Sequence, residues 1–492
     1  MQESESRFSS RFALLASMLG IAVGTGNIWR FPRIAAQSGG DRGSGAFVVA
    51  WVVCLLSWSV PLIIAEYAVG RVGRRGIVGS FAAVAGQRLA GLGAFVGLVA
   101  VGIMFYYSVV AGWCLYYLAH SVTSALPSSA AEADAIWEGL QGGYAPVLCH
   151  LLAIGGCGLA VYRGVSSIER VNQILVPTLL LVVAISVIRA LTLPGAGAGV
   201  AFLFAADWPS LAEPQVWLEA LTQNAWDTGA GWGLIITYAA YMRRRDFVVK
   251  NAVATGVGNN LVSLLAALMV FSTVFAVLGA ELDRGEILKV MQESGPASTG
   301  LTFIWMPQLF ARMAGGRLLA ILFFLGLSFA ALSSLISMVE LAARVLVDAG
   351  MRRTRAVPLV LAVGFLLGLP SALDTTVLTN QDFVWGVGLI ISGAFVAVAV
   401  VRYGAEKLRT GVLDSIQGDW RIGRGWQVTI ALLVPLQALT LLVWWMWKSA
   451  TEYAPDSWYN PLDPFSVATC LLQWGVGLLV CFLVARRLLG RT

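Results

Sequence analysis

The stretch Arg11–Arg33, RFALLASMLGIAVGTGNIWRFPR, is long enough to cross a bilayer, yet it is broken in the middle. It opens as an apolar helix and then meets Gly24-Thr25-Gly26-Asn27, followed by Arg30 and Pro32. Two glycines and an asparagine in mid-span are poor for helix continuity. Backbone groups freed at that depth find no water, so such a break is tolerated only where it lines a cavity or is buried in protein. The break therefore points to a binding site near the membrane midplane. The alternative is a kinked span whose small residues serve close helix packing.

The rest of the chain agrees with a bilayer setting. Of 492 residues, 58% are hydrophobic and 12% charged, and the mean hydropathy is +0.78. Soluble domains carry about 25% charged residues, so a polytopic membrane protein is expected. The 18 Trp suit interfacial belts and cavity walls. The net charge of +6 is what cation-rich cytoplasmic loops produce and implies no nucleic-acid partner. Met1 to Ser10 is polar and a full span follows, which is not the pattern of a cleavable signal. The six Cys lie in apolar spans without CxxC spacing and read as packing residues. With only His120 and His150, a histidine metal site is not expected.

Apolar runs of about 20 residues mark spans. They fall near 12–34, 46–70, 92–120, 147–163, 168–190, 215–241, 249–279, 316–348, 356–372, 383–402, 426–447 and 466–487. Arginines and lysines cluster after every second span: Arg71, Arg74, Arg75 and Arg88; Arg163 and Arg170; Arg243, Arg244, Arg245 and Lys250; Arg352, Arg353 and Arg355; Arg402, Lys407 and Arg409. The alternate loops 121–146 and 191–214 hold neither residue. Both termini are thus expected in the cytoplasm, with the chain multi-pass in the cell inner (plasma) membrane. No water-soluble domain is evident, and the outside segment 280–315 is expected to carry some helix over a cavity mouth.

Span six, Trp217 to Tyr241, holds a second interruption, Trp226-Asp227-Thr228-Gly229-Ala230-Gly231-Trp232-Gly233, with a carboxylate in the membrane. Spans one and six open the halves 1–5 and 6–10. An odd number of spans per half forces opposite topology. Paired interrupted spans at corresponding positions point to an inverted-repeat transporter. Half-helix N-termini offer partial positive charge to an anion, while freed carbonyls and C-termini offer oxygens to a small hard cation. An α-amino acid with Na⁺ uses both. The expected organisation is a cytoplasmic segment 1–11, a first repeat 12–190, a second repeat 191–403, and spans eleven and twelve with a short tail in 404–492.

GIAVGTGNIWRFPRIAAQSGG (Gly20–Gly40) closely resembles the neurotransmitter:sodium symporter family, in particular its bacterial amino-acid members. ITYAAY ending at Tyr241, FAALSSL (Phe329–Leu335) and MFYYSVVAGW in span three add support. The resemblance covers spans one to ten; eleven and twelve match only in length. It implies an all-α membrane protein of about twelve helices, a LeuT-type five-plus-five inverted repeat with discontinuous spans one and six.

The resemblance further implies two Na⁺ sites. One would use the carbonyl of Ala22 with Asn27, Asp227 and Asn259. The other would use the carbonyls of Gly20, Val23 and Ala330 and the hydroxyls of Ser333 and Ser334. All are oxygens, as a hard cation prefers. Without the match the two serines read as packing residues. Substrate would be held by Ala22, Gly24, Thr25, Gly26, Ile103, Tyr107, Trp226, Asp227, Gly229, Ala230, Gly231, Trp232, Ser334 and Met338. Tyr107 would meet the substrate carboxylate; otherwise Tyr106 and Tyr107 are packing or interface tyrosines. Arg30 and Asp382 resemble an outer gate pair, or else a structural pair, since an arginine at that depth needs a partner. Trp232 and Tyr107 would form an aromatic lid below. Arg7 and Asp348 would pair at the cytoplasmic mouth, supported by Tyr241 and Glu340, although Arg7 lies two positions from where relatives have their arginine. Glu66 reads as a structural buried acid.

Small residues at Gly229-Ala230-Gly231, with Ile103 and Met338, imply a roomy apolar pocket and a neutral, hydrophobic L-amino acid. Chloride is expected not to be required. Where chloride-dependent relatives have a tyrosine in span two, this chain has Trp51, after a short insertion around Asp41 to Ser44. Gln223 is retained, span seven offers Ser263, and the serine position of span six is Asp227. Asp227 would supply the fixed negative charge; alternatively it is protonated and caps the broken helix. A non-transporting amino-acid sensor on the same fold is the second reading. An enzyme is not expected, because no nucleophile–base pair or metal cluster is evident, nor a channel, because no polar ring or filter is. No obligatory protein partner is evident.

Overall fold

The computed structural model describes residues 7–292 and 299–489, and among these no strand occurs. Residues 1–6 of the N-terminal segment, 293–298 of the 280–315 loop and 490–492 of the tail lie outside the described residues. The spans are built from α1 (Arg11–Ala22), α2 (Thr25–Gly39), α3 (Gly45–Gly73), α4 (Gln87–Thr123), α5 (Ala145–Val161), α6 (Val165–Leu191), α7 (Pro214–Asp227), α8 (Leu234–Ala239), α9 (Val249–Leu278), α10 (Gly316–Asp348), α11 (Arg353–Leu373), α12 (Thr375–Tyr403), α13 (Arg424–Tyr453) and α14 (Val467–Leu488). Nine of these are long and apolar enough to cross a bilayer unbroken. α1 and α2 form span one with a bend of 47°. Ala130–Gln141 and α5 form a second bent pair, at 71°, which brings the described residues to eleven spans by length and composition. α7 and α8, read together as span six, make the count consistent with twelve.

Local chemistry sets the breaks. Ser10 caps α1 by accepting from the Ala13 amide at 3.0 Å. The helix ends where Val23 turns extended. α2 restarts at once because the Asn27 side chain accepts the Gly24 amide at 2.8 Å. In span six, Gly229, Gly231 and Gly233 have φ of 71°, 86° and 75°. That left-handed backbone is open to glycine at no steric cost. Gly231 is required twice over, since a β-carbon there would meet the backbone of Gly393 in α12 at 2.8 Å.

The donors freed by the second break are collected by one buried acid. Glu66 of α3 is fully buried and accepts from the Gly231 amide at 2.6 Å and the Ile236 amide at 3.4 Å. Backbone donors in hydrocarbon need such partners, so the structural reading of Glu66 has a concrete form.

The loops remote from the N-terminus carry short helices: Ala130–Gln141, Ala196–Phe204, Arg284–Gln292 and Leu301–Ala311. The 280–315 segment is tied to α2 by Gln37 donating to the Gln292 carbonyl at 2.8 Å and Gln292 donating to the Ala36 carbonyl at 3.1 Å.

Candidate substrate and ion site between the broken helices

A cavity of about 900 Å³ runs from the loops at the end remote from the N-terminus down to the two breaks. Its floor is Ile21, Ala22, Gly24, Gly26, Asp227, Gly229 and Ser334, and its walls include Ile103, Tyr107, Val110, Trp226, Trp232 and Met338. Tyr107 enters from α4, and its hydroxyl lies 3.2 Å from both the amide and the side-chain hydroxyl of Thr25. A β-carbon on Gly24 would stand 3.2 Å from that hydroxyl and 3.3 Å from Ser334 Oγ. Glycine therefore keeps the floor open at the N-terminus of α2, where the helix dipole favours an anion.

Two of the expected substrate residues do not reach the cavity. Ala230 is buried at 1% exposure, and Gly231 turns its amide to Glu66. Of the second break, the expected Gly229 does line the cavity, as do Ile21 on the floor and Val110 on the wall, which sequence reasoning missed. Ile21 and Val110 are ordinary helix residues by composition, so no signal marks them.

Oxygens gather at two points. At the first, the side-chain oxygen of Asn259 in α9 lies 2.9 Å from the Ala22 carbonyl and 3.1 Å from the Asp227 carbonyl. Three acceptors this close repel one another unless a cation joins them or the amide turns over and donates. Asn27 Nδ2 donates to Asn259 Oδ1 at 2.8 Å and to Ser263 Oγ at 2.7 Å. Ser263 in turn donates to Asp227 Oδ2 at 2.9 Å, with Gln223 beside the same carboxylate. A β-carbon on Gly26 would stand 2.8 Å from Asp227 Oδ1. The two carbonyls, the Asn259 amide oxygen and the Asp227 carboxylate form an oxygen-rich set that fits a small hard cation. Asn27, expected among the ligands, turns its Nδ2 to this set and gives its Oδ1 to the Gly24 amide.

At the second point, Ser334 Oγ of α10 lies 3.3 Å from the Gly20 carbonyl and 3.4 Å from the Ile21 carbonyl. Ser333 Oγ lies 3.0 Å from the Ala330 carbonyl. Val23 closes α1, its amide bonded to the Leu19 carbonyl at 2.7 Å, and within the described residues its own carbonyl makes none of the contacts of this cluster. This set also consists of neutral oxygens suited to such a cation.

The gate residues differ in arrangement from the expectation. Arg30 stacks on Trp226, with its guanidinium carbon 3.2 Å from the ring centre. The aromatic beneath Arg30 is thus Trp226. Trp232, expected in that lid, lines the wall and turns its indole N–H to the Ala225 carbonyl at 3.4 Å. Asp382 lies against the Tyr106 hydroxyl, which gives that tyrosine a polar role as well as packing. Trp226 is anchored by its indole N–H on the Gly386 carbonyl.

The end of the bundle where α1 begins is closed. Phe8 is buried against Tyr238 and Tyr241, with ring centres 6.0 and 6.5 Å away. Tyr241 donates to Glu340 Oε1 at 2.6 Å, and Arg353 pairs with the same acid. Asp348 takes Arg344 Nε at 2.9 Å and the Gly76 amide, so Arg344 is a guanidinium on that carboxylate that the sequence reading did not name. The molecule is therefore open at one end and sealed at the other.

The Sodium:neurotransmitter symporter family model matches residues 5–139 and 143–490. An uncharacterised sodium-dependent transporter of Methanocaldococcus jannaschii is 30% identical over 453 residues, covering 87% of this chain and 88% of its own length. The sodium-dependent serotonin transporter of Drosophila melanogaster is 29% identical over 510 residues, covering 94% of this chain and 79% of its own. Among solved structures, MhsT in complex with L-phenylalanine superposes with a TM-score of 0.74 at 28% identity, covering 89% of this chain and 99% of that one.

Proposed function

Because the chain belongs to the Sodium:neurotransmitter symporter family, we propose that it imports a neutral, hydrophobic L-amino acid with Na⁺ by alternating access. The membrane is the cell's inner membrane, and both termini face the cytoplasm. Residues 12–190 and 191–403 act as the two inverted repeats. The cavity then opens outward, and the Phe8–Tyr241–Glu340–Arg353 network seals the inner mouth.

The observation that carries this reading is the meeting of Ala22, Asn27, Asp227 and Asn259 at the two helix breaks, at the floor of the cavity. Na⁺ bound there contributes positive charge next to the substrate carboxylate. Asp227 offsets that charge, so chloride is not needed. Ser333, Ser334 and the carbonyls of Gly20, Val23 and Ala330 take the second Na⁺. The α2 N-terminus and Tyr107 orient the carboxylate, and Ile103, Val110 and Met338 meet an apolar side chain. The L-phenylalanine bound by MhsT supports a hydrophobic substrate.

The test is uptake of labelled leucine or phenylalanine into proteoliposomes. Uptake should follow an inward Na⁺ gradient and vanish when choline replaces Na⁺. Uptake that is indifferent to Na⁺ would overturn the reading. Na⁺-dependent binding without uptake would favour a sensor instead.

A further inference from the structure

Asn172 lies in α6, which supplies none of the residues assigned above. It is fully buried, and neither its Oδ1 nor its Nδ2 has a hydrogen-bond partner. An amide buried with both ends unpaired is costly, and native interiors rarely keep one without a use. Its Oδ1 lies 3.6 Å from the point where a β-carbon on Gly20 would stand. Ser333 Cβ lies 3.2 Å from that same point. Val176 Cγ2, also on α6, lies at the same 3.2 Å, so Gly20, Ser333 and Asn172 converge on a point that a methyl group also borders and that a side chain at position 20 would crowd. Gly20 and Ser333 are two of the residues in the second oxygen cluster.

Resting on the Na⁺-symport reading above, we propose that Asn172 is a further oxygen donor to the cation of the second cluster, acting directly or through one water. An amide oxygen is a neutral, hard ligand, so it strengthens the cluster without adding charge. Asn172 stands seven residues, about 10 Å, from the cytoplasmic start of α6. Three residues nearer that end, on the same helix face, the buried Glu169 carboxylate accepts the Ser9 amide at 2.8 Å. Asn172 therefore meets the ion on the side from which it leaves for the cytoplasm.

The experiment uses the purified full chain in detergent. It measures equilibrium binding of radioactive Na⁺ and the thermal unfolding midpoint in Na⁺ and in choline. Asn172→Val should unfold at an equal or higher temperature in choline, because the unpaired amide is gone. Its Na⁺ half-saturation should rise roughly three- to tenfold, and the Na⁺-induced rise in midpoint should shrink. Asn172→Asp should keep or tighten Na⁺ binding. A wild-type Na⁺ titration in Asn172→Val overturns the inference. So does a midpoint lowered equally in Na⁺ and in choline, which would mark Asn172 as the anchor of a structural water. A wild-type chain that binds no Na⁺ overturns the symport reading itself, a result visible before any variant is made.

Discussion

Arg30 stacks on Trp226 while Asp382 lies against Tyr106, so the two charges that face each other across the cavity are each engaged with an aromatic neighbour. Arg30 and Trp226 belong to helices that border the cavity floor: Arg30 is on α2, just past the first break, and Trp226 is on α7, just before the second. In the alternating-access reading proposed above, closing the outer mouth would move Arg30 from the indole face toward Asp382, which would couple both breaks to the gate. Charge-assisted bonding between them, direct or through water, then holds the cavity shut.

Arg30→Ala should abolish uptake while leaving Na⁺-dependent substrate binding at least partly intact. The variant keeps the floor residues and loses only the closing pair. Proteoliposome uptake and equilibrium binding, measured on the same preparation, separate the two. Unimpaired uptake would remove Arg30 from the mechanism.

Transport should be unchanged when gluconate replaces chloride. Under the proposed reading Asp227 supplies the negative charge that chloride would otherwise bring; its carboxylate is held by Ser263 at 2.9 Å with Gln223 alongside. Asp227→Ser should lose most activity, and added chloride should restore little, because Trp51 offers no hydroxyl. Full Na⁺-driven uptake by Asp227→Ser in chloride-free buffer would refute the role given to this carboxylate.

Among competing substrates, Leu, Met, Phe and Trp should displace the labelled substrate better than Gly or Ala. Each methylene placed against an apolar wall is worth about 1–3 kcal/mol, so tenfold steps are expected along the series. Ile103→Phe, which fills the wall at a buried cavity-lining position, should weaken the largest substrates first. A panel in which glycine and alanine win would point to a smaller pocket.

Glu66→Ala should strip the Gly231 and Ile236 amides of their acceptor. Each buried donor left unpaired costs about 1–3 kcal/mol. The thermal midpoint should fall well below that of Glu66→Gln, which retains one acceptor oxygen. Equal midpoints for the two variants would mean that the second break is held by other contacts.

The sequence by itself determined the membrane class, the twelve spans and the two breaks. Span length follows from bilayer thickness, and a glycine cluster in mid-span has few physical uses in hydrocarbon. It also marked Asn27 and Asp227 as polar groups in apolar spans, and the family resemblance added Asn259; the structure brings the three together. What only the tertiary structure decided is where the side chains of irregular backbone point. Within a helix, periodicity assigns faces; from Thr228 to Gly233 there is no period, so Ala230 turned into the core and Gly229 onto the cavity. Trp226 lies inside α7, and its place beneath Arg30 of α2 is set by how those two helices meet. Arg344 on Asp348, Ile21 and Val110 on the wall and Asn172 beside Gly20 are meetings between different helices. Such meetings depend on the rotation and depth of each helix in the bundle, and no local pattern in one span encodes its neighbour's.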